Sequence, residues 1–280
     1  MTKTRLLNVA VAATALCFAS CQNNSSSNET TSTDSTAMTT PAAQPIMLEE
    51  VQNAQEFPGA SLSMGNVTAT PVGDSVKLAF NFNVKGYELK SQTGDSTSHL
   101  CNNSDKGQHI HFILDNKPYV ALYEPKHETT LAKNSEHYVM AFLSRSYHMS
   151  LKDKGVAVLY HFKIDENGKL QKMDNPTTPM VFYSRPKGDY LGKDTENILL
   201  DFYVWNATLG ADYKVKADIS TGGKDTSITL SDWKAYFLKN LAMGKSTIKL
   251  TMVDKDGNKV QGDNTEVSRD INLSKDEPMK

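Results

Sequence analysis

The chain has 280 residues, a formal net charge of -2, and a composition that is 39% hydrophobic and 22% charged. A balance this close to neutral offers no electrostatic footprint for nucleic acid or for a strongly anionic surface. Beyond a short apolar stretch at the N-terminus, no run approaches the roughly 20 apolar residues of a membrane-spanning helix.

That N-terminal stretch comes first in the chain. Lys3 and Arg5 make a basic start, Leu6 to Phe18 an apolar core too short to cross a bilayer, and Ala19 and Ser20 the small residues that precede a signal-peptidase cut. With Cys21 directly behind them, the segment resembles the lipobox of bacterial lipoproteins, Phe18 standing where Leu is usual. The resemblance implies removal of residues 1–20 and acylation of Cys21, with the membrane as partner through the acyl chains. The alternative is ordinary secretion with cleavage near Ala19. Residues 22–44 are dominated by Ser, Thr, Asn and Ala, too polar to bury enough area to order themselves, so residues 21–58 read as the lipidated Cys and a flexible tether. Surface-export signals place acidic residues just after the Cys. Gln22 to Ser25 lacks them, which points to an outer-membrane anchor facing the periplasm. With Cys17 removed and Cys21 acylated, Cys101 is left alone and no internal disulfide can form.

The remainder, about 230 residues, suits two domains. It also repeats itself. Phe80–Leu89 matches Leu200–Leu209 without a gap, Tyr123 falls on Trp233, and Tyr138–Leu143 falls on Ile248–Val253. Each copy reads as β: Val76, Leu78, Phe80, Phe82 and Val84 alternate with Lys77, Asn81, Asn83 and Lys85, as do Val156 to Ile164 and Ile248 to Met252. Turn clusters such as Asp165–Gly168 and Asp254–Gly257 separate the strands. Only Leu230–Leu241 suggests a helical turn, with Ser231 as its cap. The fold predicted is all-β: two tandem Ig-like β-sandwich domains from an internal duplication, over residues 59–175 and 176–280, divided near the Pro- and Thr-rich segment 175–179.

Comparing the copies locates candidate chemistry. His109–Leu114 aligns with Lys214–Ile219, so Ile110, Phe112 and Leu114 face the core and His109 and His111 take the places of Lys214 and Lys216. Unpaired lysines are almost never buried, so both histidines are expected on the solvent face of their strand. Copy one also carries an insertion within Lys90–Gln108, which includes His99 and Cys101. His-x-His on a strand puts two imidazoles on one face about 7 Å apart, within reach of one ion. His99 and Cys101 from the insertion, and His148 and Met149 from the loop after Leu143, complete a candidate metal set. A mixed His/Cys/Met set favours copper, with zinc next. The alternative is a plain polar sheet face, on which His161, alternating with Lys163, would also be solvated. A second candidate pairs Arg145 and Tyr147 with Arg185. Each Arg follows a Ser, as an anion or phosphate site would use, unless the arginines only pair acidic neighbours across the interdomain seam. No nucleophile elbow, Walker loop, dinucleotide fingerprint or zinc-protease helix is present.

At Gly107–Tyr119, Ala141–His148 and Phe182–Gly192 the chain resembles a group of Bacteroidota envelope lipoproteins named "phosphopeptide-binding protein". The resemblance implies the fold, anchoring and compartment and leaves the ligand open, since the Gly-Arg and Ser-x-x-His loops of forkhead-associated phosphopeptide readers are missing. The sequence thus predicts a non-catalytic, lipid-anchored envelope binding protein whose first domain takes an anionic or phosphorylated peptide or a metal ion. The competing readings are a structural or assembly lipoprotein that packs on another envelope protein and, further off, a hydrolase of envelope polymers.

Overall fold

Residues 44–275 are described by the computed structural model; the signal segment, Cys21 and the tether up to residue 43 lie outside the described residues, as do 276–280. Alternation sets the strands. In β3 (Ser75–Lys85), Val76, Leu78, Phe80 and Phe82 are buried while Lys77, Asn81 and Asn83 point to solvent. With β2 (Ser61–Val72) and β6 (Lys126–Ala132) it makes one sheet in the order β2-β3-β6. The facing sheet has the order β5-β4-β7-β8-β9, from β4 (His109–Leu114), β5 (Val120–Leu122), β7 (Ser135–Ser144), β8 (Ala157–Ile164) and β9 (Leu170–Lys172).

The second half repeats this plan. One sheet runs β1-β15-β12-β10, from β1 (Met47–Glu50), β10 (Met180–Arg185), β12 (Ile198–Trp205) and β15 (Tyr236–Lys239). The other runs β11-β17-β16-β13-β14, from β11 (Gly188–Leu191), β13 (Tyr213–Thr221), β14 (Lys224–Leu230), β16 (Gly244–Asp254) and β17 (Glu266–Ser274). With the added edge strands β1, β9 and β11 set aside, β2-β3-β6 corresponds to β10-β12-β15, and β5-β4-β7-β8 to β14-β13-β16-β17. The chain is two tandem Ig-like sandwiches, and the residues that match in sequence lie on matching strands.

Each sandwich has its own core, around Phe80, Phe112 and Phe162 in the first and around Phe202, Val215 and Leu250 in the second. A third apolar cluster joins them. Ile113, Met140, Phe142 and Leu159, on the outer face of the five-stranded sheet of sandwich one, pack on Met180, Phe182 and Tyr203 from β10 and β12. Polar bonds fix the seam. Asn116 gives its Nδ2–H to the Val181 carbonyl at 2.8 Å and takes the Tyr183 N–H at 3.0 Å, acting as a strand partner for β10. Asp201 on β12, fully buried, accepts from Ser150 Oγ and Lys152 Nζ, both at 2.8 Å.

The structure departs from the sequence reading in two elements. Met47–Glu50, assigned to the tether, is strand β1, antiparallel to β15 with Leu48 opposite Leu238. The unpaired backbone groups at a sheet edge supply the partners that this short segment could not find alone. Leu230–Leu241 holds no helix; its residues enter β15, because sheet pairing outweighs a single helical turn, whose nucleation is costly.

Removing the buried acid should be severe: Asp201→Ala is expected to cost about 3–5 kcal/mol by stranding Lys152. Asp201→Ala combined with Lys152→Met should recover most of that loss. Urea unfolding of the two variants checks this, and equal losses in both would refute the pairing argument.

Candidate metal centre

Strand β4 builds the site. Ile110 and Phe112 enter the core of sandwich one, so His109, His111 and Ile113 point out of its opposite face. The expectation that this face is solvated is overturned: His109 and His111 are both 0% exposed. Orientation relative to the module follows the alternation, but β10 of the second sandwich lies over that face. In copy two the equivalent face stays open, where Lys216 pairs with Asp218 at 3.1 Å. His161 is corrected likewise: it is buried beneath Tyr138, with ring centroids 4.3 Å apart, and holds Glu136 through Nε2 at 2.6 Å.

A third imidazole arrives from the turn after β7. His148 adopts a left-handed backbone, φ +70°, and its N–H donates to the Arg145 carbonyl at 2.9 Å. A non-glycine residue there is strained by about 1–2 kcal/mol, and such strain tends to collect at functional sites. The turn aims the ring back over β4. His109 Nε2 stands 2.9 Å from His111 Nε2 and 3.1 Å from His148 Nδ1, and the three nitrogens all lie within 4.8 Å of one another. Three nitrogens each about 2.0 Å from one ion in a trigonal plane are spaced about 3.5 Å apart, so small ring movements suffice to seat one.

A hydrogen bond behind the ring sets the tautomer of His109, and a hydroxyl stands behind His111. His109 Nδ1 is 2.8 Å from the Gly107 carbonyl, which can only accept, so Nδ1 carries the proton and Nε2 presents its lone pair to the centre. His111 Nδ1 is 2.9 Å from Ser184 Oγ, a hydroxyl that can accept the Nδ1 proton and leave Nε2 free to ligate. The single lone pair of His109 Nε2 faces two ring nitrogens and can take a good proton from only one. An ion at the centre would engage all three lone pairs.

Burial keeps the rings neutral, the form that binds metal. Desolvation is the main cause in each case. It lowers His109 to about 4, and it holds His111 and His148 well below the ordinary imidazole value; the Arg185 and Lys187 cations push all three in the same direction. Tyr119 closes the site from above. Its ring stacks on His111 with centroids 3.6 Å apart and planes 9° apart, and its hydroxyl is 3.1 Å from His148 Nδ1.

The other predicted residues lie apart from this centre. His99 is exposed, at the end of the 3-10 helix Ser96–His99. Cys101 is buried against Tyr147, Leu199 and Phe237, with its thiol pushed up to about 12 by burial, and it does not join the ligand group. Met149 packs against the same apolar cluster. Arg145 gives Nε and Nη2 to the Gln55 carbonyl and Nη1 to the Ser150 carbonyl, which leaves no free fork for an anion. Tyr147 is fully buried and donates to Asp95 at 2.8 Å. Arg185 is buried over the Tyr119 ring at 5.4 Å and donates Nη1 to the Tyr190 hydroxyl. Sequence reasoning missed Gly107, Ser184, Tyr119 and Lys187. Of these Gly107 alone left a sequence signal, a glycine just before the His-x-His strand. Its φ is +79°, and a Cβ there would meet the Lys90 carbonyl oxygen at 2.4 Å.

No protein-family model matches the sequence, and no curated protein matches it. In fold, the chain is similar to the fibronectin(III)-like modules of Clostridium thermocellum CbhA, at 12% identity and TM-score 0.26, over 76% of this chain and 95% of that one. It is similar also to the extracellular domain of a putative hybrid two-component system from B. thetaiotaomicron, at 10% and 0.28, over 81% of this chain and 40% of that one. A third similarity is to the two tandem V-type regions of a v-region-containing chitin-binding protein, at 9% and 0.23, over 76% and 99%. No helix among the described residues is long and apolar enough to cross a membrane.

Because the folded-state value of His109 lies below that of the free side chain, its contribution to stability is complete above about pH 6.5 and is lost as pH falls toward 4. Between those values the unfolded chain binds the extra protons. Stability should therefore drop from pH 7 to pH 5 by at least about 2 kcal/mol, with His111 and His148 adding to it. Guanidinium midpoints measured across this range test the sign; a flat profile would show that the rings are hydrated.

Proposed function

We propose that the protein is a non-catalytic, lipid-anchored envelope protein that binds one copper or zinc ion through His109, His111 and His148. One observation carries the reading: three neutral ring nitrogens converge within 4.8 Å in a buried seam, with a carbonyl and a hydroxyl behind two of them. Such second partners are what metal-ligating histidines ordinarily have. A binding role rather than a catalytic one is supported by the enclosure of the centre. On the His148 side, the crevice bounded by Cys101, Arg185 and Tyr190 has no room even for a water molecule, so a substrate has no approach there. The phosphopeptide alternative loses its support, since Arg145 is spent on carbonyls and Arg185 is covered.

The anchor rests on Cys21 and the segment before it, and on the sequence resemblance to Bacteroidota envelope lipoproteins, which also suggests a periplasm-facing outer-membrane position.

Purified protein is expected to bind one equivalent of copper or zinc, and both His109→Ala and His111→Ala should abolish binding. Titration calorimetry reads this directly, and undiminished binding in either variant would remove the site. For the anchor, metabolic labelling with radioactive palmitate should mark the wild type and place it in the membrane fraction. Cys21→Ser should be unlabelled and soluble; a labelled Cys21→Ser protein would dismiss the lipobox.

A further inference from the structure

The surroundings of the centre bear on the charge and the coordination number of an ion held there. We infer that the ion this triad is built for is monovalent copper, held by three nitrogens and nothing else. The inference rests on the metal-binding reading above and narrows it.

Coordination number comes first. Among the described residues the ligand group consists of His109, His111 and His148, with no carboxylate or thiol joining them. The phenol oxygen of Tyr119 is a further donor beside the group, 3.1 Å from His148 Nδ1. Its ring lies parallel to that of His111 at 3.6 Å, however, so the oxygen stands about one stacking distance out of the plane along which His111 Nε2 aims its lone pair. An ion held in that plane is beyond bonding distance of the phenol. His109 and His111 have no exposure to solvent, and the crevice beside His148, lined by Cys101, Arg185 and Tyr190, is too narrow for a water molecule. Zinc sites in proteins are almost always four-coordinate, through a fourth side chain or a water. Monovalent copper has a filled d shell and takes two or three imidazoles readily, so a three-nitrogen pocket satisfies it.

Charge points the same way. Two cations, Arg185 and Lys187, reach the site from the end of β10 over the Tyr119 ring, and among the described residues no carboxylate joins the three rings. Arg185 lies over one face of the Tyr119 lid, 5.4 Å from its centroid, and Lys187 Nζ is 3.9 Å from that centroid while donating to the Tyr119 carbonyl at 2.8 Å. Asp95 accepts from Tyr147, the residue before His148, and Asp194 accepts from Asn102. An entering ion therefore meets two positive neighbours with no compensating carboxylate, and the repulsion scales with its charge, twice as large for a divalent ion as for a monovalent one. The second sandwich thus acts as a charge filter over a site whose ligands all come from the first.

The test uses the purified full chain. Competition with bicinchoninate under ascorbate should show one monovalent copper per chain, while a zinc-chelating dye should show zinc at least about a hundredfold weaker. Lys187→Gln, at a half-buried position, should narrow that gap about tenfold by removing one positive neighbour. X-ray absorption of the wild-type copper form should show three nitrogen scatterers at about 2.0 Å and no sulfur. Zinc binding as tight as copper, a fourth scatterer, or a gap unchanged by Lys187→Gln would overturn this inference while leaving the metal site standing. Binding of neither ion would overturn both.

Discussion

The structure depends on one act of coverage: strands β10 and β12 of the second sandwich lie across the outer face of the five-stranded sheet of the first. Ile113, Met140 and Phe142 need that cover, because an outward row of this size would otherwise be an exposed apolar patch. The same cover takes His109 and His111 out of water. Their neutrality follows from it, since a buried imidazolium without an acid beside it is strongly disfavoured. Packing between modules and chemistry at the centre are therefore one feature.

The insertion within Lys90–Gln108 is the second support, and its role differs from that of a free recognition loop. Gln108 N–H and Lys90 N–H close it on itself through Ser91 and Gln108 carbonyls, at 2.7 and 2.8 Å. Its far end reaches the second sandwich, where Asn102 donates to Asp194 and the Leu100 carbonyl accepts from Asn197. Thr93 and Ser146 exchange hydrogen bonds between backbone and hydroxyl in both directions, tying the insertion to the turn that carries His148. Gly107, at the insertion's end, supplies the carbonyl that fixes the His109 tautomer. The strap thus holds the proton of His109 and the turn of His148, and so positions two of the three rings.

How much of this could be read from sequence divides along physical lines. Period-two alternation in Val76 to Val84 fixed the inner face of β3, and the alignment of Ile110 and Phe112 with Val215 and Ala217 fixed the inner face of β4; all of these but Val84 are buried as expected. Alternation reports which way a side chain leaves its own sheet. It carries no information on what lies beyond, so the lysines of copy two were a sound guide to direction and a poor one to exposure. Arg145 shows a different limit: three hydrogen bonds to main-chain carbonyls leave no trace in side-chain identities. Ser184 and Tyr119 escaped notice because each meets the site only through the docking of the modules or the stacking of rings. His148 was legible as a candidate from its place after β7, while its left-handed turn was not.

Duplication explains why the centre is in one copy only. Two identical modules would present the same outer sheet face twice, yet in a tandem pair one face can be covered by the neighbour while the other remains open. On β13 and β16 that open face carries Lys216, Asp218 and Lys249, joined in surface ion pairs at 3.1 and 3.5 Å, which suits water and contributes little to stability. On β4 the equivalent positions are His109 and His111, the residue type that can lose its charge on burial and still offer a lone pair. Lysine at His109 or His111 would be a buried cation beside Arg185 and Lys187, and the seam would not close over it. Cover by the other sandwich thus disfavours at these positions the lysines that suit the open face, and imidazole is a polar group compatible with both burial and coordination.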